Sequence, residues 1–152
     1  MMIEVELVEI QLHDQGGAQI IILQEKEGER SFPIFIGTFE FIFLDQAIKG
    51  ITHERPMTHD LIVNTIDGLG GKLTGILIDE LKNNTYIGKL LVRTSDGEVV
   101  RIDSRPSDAV VLAMKERVPI YVEDDVLRAT SGEDDDEAAT DSEDPDDPDD
   151  SE

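Results

Sequence analysis

The sequence has no cysteine and no tryptophan. The first absence removes disulfide staples, thiolate nucleophiles and cysteine-ligated zinc together, so any metal would have to sit on His, Asp or Glu. Positive charge is scarce too: 13 Lys and Arg stand against 35 Asp and Glu, for a formal charge of -22. Thirteen acidic residues and no basic one lie between Ser131 and Glu152, which leaves nine net negative charges on residues 1–130. A body of that sign excludes a broad Lys and Arg cradle for nucleic acid, and a polyanion would need local contacts. Long apolar runs are also missing. The most apolar stretch, Phe32 to Leu44, is interrupted by Pro33, Gly37 and Glu40, far short of the roughly 20 residues of a membrane span. The first ten residues, MMIEVELVEI, put Glu4, Glu6 and Glu9 where a signal peptide needs basic and then unbroken apolar residues. A cytoplasmic protein is expected.

At 152 residues the chain has room for one core of ordinary size. Ile3, Val5 and Leu7 alternate with Glu4 and Glu6 before the phase slips to Val8, Ile10 and Leu12, which reads as a strand with a bulge. Gly16-Gly17, the β-branched run Ala18 to Glu25, the Gly28 turn and Arg30 to Ile36 extend it into a meander. A helix follows from Thr38, as N-cap, to about Lys49, and a second from about Thr58 to Leu69, closed by Gly70-Gly71. Lys72 to Lys82, Thr85 to Thr94 and Glu98 to Ser104 read as three strands joined at Asn83-Asn84 and Asp96-Gly97. A third helix covers about Ser107 to Arg117, Pro119 to Val122 is a short extended segment, and Val126 and Leu127 sit in a last helical turn. The predicted class is α+β: one domain over residues 1–128, a largely antiparallel or mixed sheet with about three helices packed on it. Residues 129–152 are expected to form a disordered acidic tail, since too little apolar surface is present to offset chain entropy.

All five Phe residues, Phe32, Phe35, Phe39, Phe41 and Phe43, fall in one strand-to-helix segment. Two readings stand: core packing, or a subunit interface, because Phe41, Ile42, Phe43 and Leu44 cannot share one helix face.

Two stretches share a design, RPMTHDLIV from Arg55 and RPSDAVVLA from Arg105. Each sets Arg and Pro at a helix entrance, then a hydroxyl residue and an Asp in the first turn. Free backbone amides, the positive end of the helix dipole and a guanidinium suit a phosphodiester. The competing reading is structural: Thr58 and Ser107 cap, while Asp60 and Asp108 complement the dipole or pair with Arg55 and Arg105. His59, in a first turn, has the chemistry of a general base or metal ligand. Asp103 ends a strand beside the third helix, and with Asp60 and Asp108 it offers oxygen ligands for Mg²⁺ or Mn²⁺, or else a capping carboxylate. Glu40 is a weaker addition. His13 and His53 have no recognised ligand spacing.

The stretches FPIFIGTFE, ERPMTHDL, LGGKLTGILIDEL, VVRIDSRPSDAVVLA and VPIYVEDDVL resemble the bifunctional nuclease domain family, in family order across nearly all of residues 1–128. The resemblance implies a compact α+β fold, cleavage of DNA and RNA, and self-association, most simply a homodimer. It carries Glu40, Arg55, His59, Asp60, Asp103, Arg105, Ser107 and Asp108 over as site residues. Bulky Phe41 and Phe43 depart from the smaller residues usual after the Glu. The reading that results is a metal-assisted phosphodiesterase in which Asp60, Asp103 and Asp108 hold the ion, His59 activates water, and Arg55, Arg105 and Ser107 bind phosphate. Its alternatives are a noncatalytic anion- or protein-binding module and a structural oligomer.

The excess of carboxylates over Lys matches proteins that work in concentrated salt, where self-repulsion is screened over about 3 Å at 1 M. Thermal melting of the purified protein is therefore expected to shift upward from dilute to molar salt. Equal melting temperatures in both would remove this reading.

Overall fold

The computed structural model describes residues 1–13 and 19–131. The phase slip near the N-terminus is a β-bulge: the pairing of β1 (Met2–Gln11) with β2 (Gln19–Glu25) shifts register between Leu7 and Glu9. β2 continues antiparallel into β3 (Ser31–Ile36), completing the predicted meander. The Gly16-Gly17 turn lies outside the described residues.

Two helices come next, α1 (Thr38–Ile48) and α2 (Thr58–Gly68), and then a second meander of β4 (Lys72–Lys82), β5 (Thr85–Arg93) and β6 (Val99–Ser104). Asn83 and Asn84 both have positive φ, 52° and 59°, the pairing a two-residue hairpin turn of type I′ requires. α3 (Pro106–Glu116) leads to β7 (Ile120–Glu123) and α4 (Asp124–Ser131). The fold is α+β, with four helices where about three were expected, because the final turn around Val126 and Leu127 extends to eight residues. The acidic tail expected from residue 129 has its first three residues in α4, and from residue 132 it lies outside the described residues.

The seven strands form one mixed sheet in the order β3-β2-β1-β7-β4-β5-β6. β7 is only four residues long, yet it joins the two meanders, antiparallel to β1 and parallel to β4. Its Ile120 and Val122 are buried. The sheet curls until strands far apart in its order approach each other: Phe32 on β3 meets Tyr86 on β5 with ring centroids 5.4 Å apart.

α3 lies within that curl. Ala109 to Ala113 are all at most 2% exposed, so the helix is buried around its circumference, against the sheet on one side and against α1 and α2 on the other. Its start is placed by a missing side chain. A Cβ on Gly88 of β5 would come within 3.1 Å of the Ser104 carbonyl oxygen and 3.3 Å of Pro106 Cα, so only glycine lets the β6–α3 junction sit so close.

The five Phe residues divide. Phe32 is buried, Phe41 and Phe43 pack partly against the core, and Phe35 and Phe39 are 65% and 76% exposed. No helix among the described residues is long and apolar enough to cross a membrane.

Candidate functional site

The two RP helices bring their entrances together. Both begin earlier than a hydroxyl cap would require, α2 by one residue and α3 by two: the N-caps are Met57 and Arg105, with Thr58 and Pro106 as first helical residues and Ser107 second. Gly37, not Thr38, is likewise the N-cap of α1. On α2 the capping acceptor comes from within the helix, since Asp60 Oδ2 accepts the Met57 backbone N–H at 2.8 Å. The hydroxyls of Thr58 and Ser107 are thus displaced from the capping role.

At the crossing of α2 and α3, His59 Nε2 lies 3.1 Å from Asp108 Oδ1. The other carboxylate oxygen of Asp108 accepts from Arg105 Nε at 2.8 Å, and Arg105 Nη1 donates to Glu40 Oε1 on α1 at 3.2 Å. Four of the expected residues therefore form one chain, Glu40, Arg105, Asp108 and His59, drawn from three helices. Asp108, then Glu40, stabilises the Arg105 guanidinium and pushes its pKa above its already high range. His59 is 6% exposed, and the edge of Phe43 stands against its ring at 5.2 Å. Its Nδ1 is buried and has no hydrogen-bond partner.

This chain separates two hollows. A groove of about 540 Å³ is lined by Phe35, Glu40, Tyr86, Asp103, Arg105 and Ser107, among others. A smaller cavity of about 170 Å³ is lined by Phe43, His53, Met57, His59, Asp60 and Lys115. Asp60 belongs to the second hollow, where the Lys115 ammonium and then the Met57 N–H hold its carboxyl below the usual carboxylate range. Asp103 sits at the groove, its side chain 84% exposed and 3.0 Å from Lys89 Nζ, and it holds the Lys89 pKa above normal. Arg55 is exposed at the entrance to α2 and forms no side-chain hydrogen bond or ion pair among the described residues.

The expected metal ligands do not gather. Asp60, Asp103 and Asp108 each answer to a different cation, Lys115, Lys89 and Arg105, and no three His, Asp or Glu side chains among the described residues are arranged to hold an ion. The donor set does not fit a preformed divalent site, because each oxygen ligand would first have to leave its ion pair.

Lys115 was not anticipated from the sequence. A signal was present, since Asp108, Val111 and Lys115 recur on one helix face two turns long. Phe35 escaped notice because it reaches the site only through the curl of the sheet, whereas Tyr86 and Lys89 lie on β5, beside β6, with Lys89 directly opposite Asp103.

Replacing Asp60 by Asn should lower stability at neutral pH by about 1–2 kcal/mol, through the lost cap and the unpaired Lys115. Because the folded pKa of Asp60 is depressed, its contribution is present above the unfolded carboxylate value and is lost as pH falls through the folded one. Denaturant titrations of the two proteins should therefore converge at acid pH. A constant difference down to the most acid conditions would contradict the pairing.

Comparison with known proteins gives this geometry a family. The sequence model of the bifunctional nuclease domain matches residues 21–135. An uncharacterized protein of Mycobacterium tuberculosis is 35% identical over 142 residues, 90% of this chain and 84% of its own length. Bifunctional nuclease 1 of Oryza sativa subsp. indica is 25% identical over 116 residues, and bifunctional nuclease 1 of Arabidopsis thaliana is 24% identical over 114. These matches cover 74% and 73% of this chain but only 35% of each plant protein. With a curled mixed sheet, two converging RP helices and a family match over most of its length, the chain belongs to the bifunctional nuclease domain family.

Proposed function

We propose that the protein hydrolyses phosphodiester bonds of DNA or RNA at the junction of α2 and α3. The observation that carries this reading is the continuous chain from Glu40 through Arg105 and Asp108 to a histidine whose second ring nitrogen has no partner. A carboxylate can only accept, so Asp108 fixes the neutral ring with its proton on Nε2 and leaves the Nδ1 lone pair available as a base. In this scheme the phosphate lies in the groove at the entrance of α3, held by Arg105, the Ser107 hydroxyl and the first-turn amides. Water attacks phosphorus, its proton passes to His59 Nδ1 once the Phe43 side of the site has opened toward the groove, and the leaving ester oxygen takes a proton from solvent as its bond to phosphorus breaks. Arg105 offsets the charge that builds on the phosphoryl oxygens. Phe35 and Tyr86 supply apolar wall for a base. Two carboxylates already occupy Arg105, so phosphate has to displace at least one of them.

A second reading, a noncatalytic anion- or protein-binding module, is favoured by one observation: Nδ1 is sealed from solvent, so a water can reach it only after the Phe43 side of the site opens. Cleavage assays on the full chain decide between them. Single-stranded DNA and RNA would be incubated in dilute and in strong salt, with Mg²⁺, with Mn²⁺ and with chelator. His59→Ala is expected to reduce cleavage by about 10²–10⁴, the range of a lost general base. Arg105→Ala should impair it comparably, and Asp103→Asn, at an exposed carboxylate, only slightly. Cleavage that survives His59→Ala would overturn the mechanism, and its absence from the wild type under every condition would leave the binding module.

A further inference from the structure

The sheet has two edges, and they are built differently. β3 carries Pro33, opposite Ile22 of β2. A proline offers no N–H, and edges interrupted this way resist the addition of another strand. β6 has no such guard. It is the last strand on its side, contains no proline, and pairs with β5 in unbroken register from Val99 to Ser104.

β6 is also apolar where it has no cover. Val100 and Ile102 stand opposite the core residues Val92 and Leu90 and continue their row, yet they are 39% and 42% exposed, and Val99 is 58% exposed. Between them, Arg101 forms no ion pair or side-chain hydrogen bond among the described residues.

We infer that β6 pairs antiparallel with β6 of a second copy of this chain, across a two-fold axis at Ile102. The choice of axis follows from ladder geometry. Directly opposed residues in an antiparallel pair turn their backbone groups the same way, toward or away from each other. Two identical strands related by a two-fold therefore meet with the axis through a residue and never between two. An axis at Arg101 would oppose guanidinium to guanidinium, and an axis at Asp103 would oppose carboxylate to carboxylate. An axis at Val100 would set Arg101 against Val99 and leave Asp103 beyond the start of the partner strand. An axis at Ile102 alone sets Arg101 against Asp103 of the other copy, where the carboxylate would be shared with Lys89, twice by symmetry, with Ile102 against Ile102 and Val100 against Ser104. Charge complementarity thus selects both the occupant and the register.

The pairing has a consequence at the site. Asp103 and Ser104 line the groove, so Arg101 of the second copy arrives at its mouth. The groove's own Arg105 is engaged by two carboxylates, and the incoming guanidinium would add positive charge in trans. This consequence rests on the proposed nuclease reading, whereas the pairing itself does not.

The absence of cysteine makes a direct test available. Ile102→Cys in the full chain places its only thiol opposite the same thiol of the second copy, at the 4.5–5.5 Å Cα separation of opposed residues, within disulfide reach. Oxidation is expected to convert most of this variant to a covalent dimer on denaturing gels. Val100→Cys, about 13 Å from its symmetry mate along the ladder, should stay monomeric on the same gels. In sedimentation the wild type should run as a dimer, Arg101→Asp as a monomer, and Arg101→Asp combined with Asp103→Arg as a dimer again. A monomeric wild type, or Ile102→Cys that links no faster than Val100→Cys, overturns the interface. Should Arg101→Asp fail to fold, the cysteine pair still decides. Loss of cleavage with the dimer intact would count against the nuclease reading and leave the interface standing.

Discussion

The contact between His59 Nε2 and Asp108 Oδ1 joins two helix entrances 49 residues apart in the chain. It is one of two polar links between these helices, the other being Lys115 of α3 on Asp60 of α2. Through the His59 contact, α2 and α3 share one polar chain that reaches α1 through Arg105 and Glu40. The arrangement has a cost, since a buried nitrogen without a partner forfeits about 1–3 kcal/mol of desolvation. Such unpaired groups are uncommon in folded proteins, and the other one among the described residues, Asp79 Oδ1, lies on β4 outside the site. The unpaired atom of His59 is the one a base would use.

What holds the contact in place is mostly apolar. Ala109 to Ala113, directly after the first turn of α3, are buried on all sides, and Gly88 lets the β6–α3 junction approach β5. The Arg105 guanidinium is consequently presented from a fixed backbone, at the seam where the curled sheet leaves a groove. With an acidic body, a polyanion could be held only by such local presentation, because the protein has no general attraction for one. A second copy docked through β6 would relieve the same shortage by bringing Arg101 to the groove.

Much of the fold was legible because it depends on near neighbours. The bulge near Val8, the Asn83-Asn84 hairpin and the α+β class all follow from periodicity and turn chemistry. The position of β7 did not: Ile120 to Val122 reads as a short apolar strand, but its place between β1 and β4 is set by pairings across the chain. The site divided in the same way. The RP motifs correctly marked the helix entrances, and the candidate list contained every member of the Glu40, Arg105, Asp108 and His59 chain. Spacing could not separate Asp108, which joins that chain, from Asp60 and Asp103, which turn to Lys115 and Lys89. Those partners are chosen by tertiary packing, and the three carboxylates consequently stay apart.

The central claim is that Asp108 fixes the His59 ring with its proton on Nε2 and Nδ1 bare. Long-range ¹H–¹⁵N NMR on labelled protein reads this directly, with His59 assigned by its loss in His59→Gln and the pH held where imidazoles are neutral. The account predicts a protonated Nε2 and an unprotonated Nδ1 for His59, a preference that Asp108→Ala should weaken. A His59 ring carrying its proton on Nδ1, or one indifferent to the loss of Asp108, would contradict it.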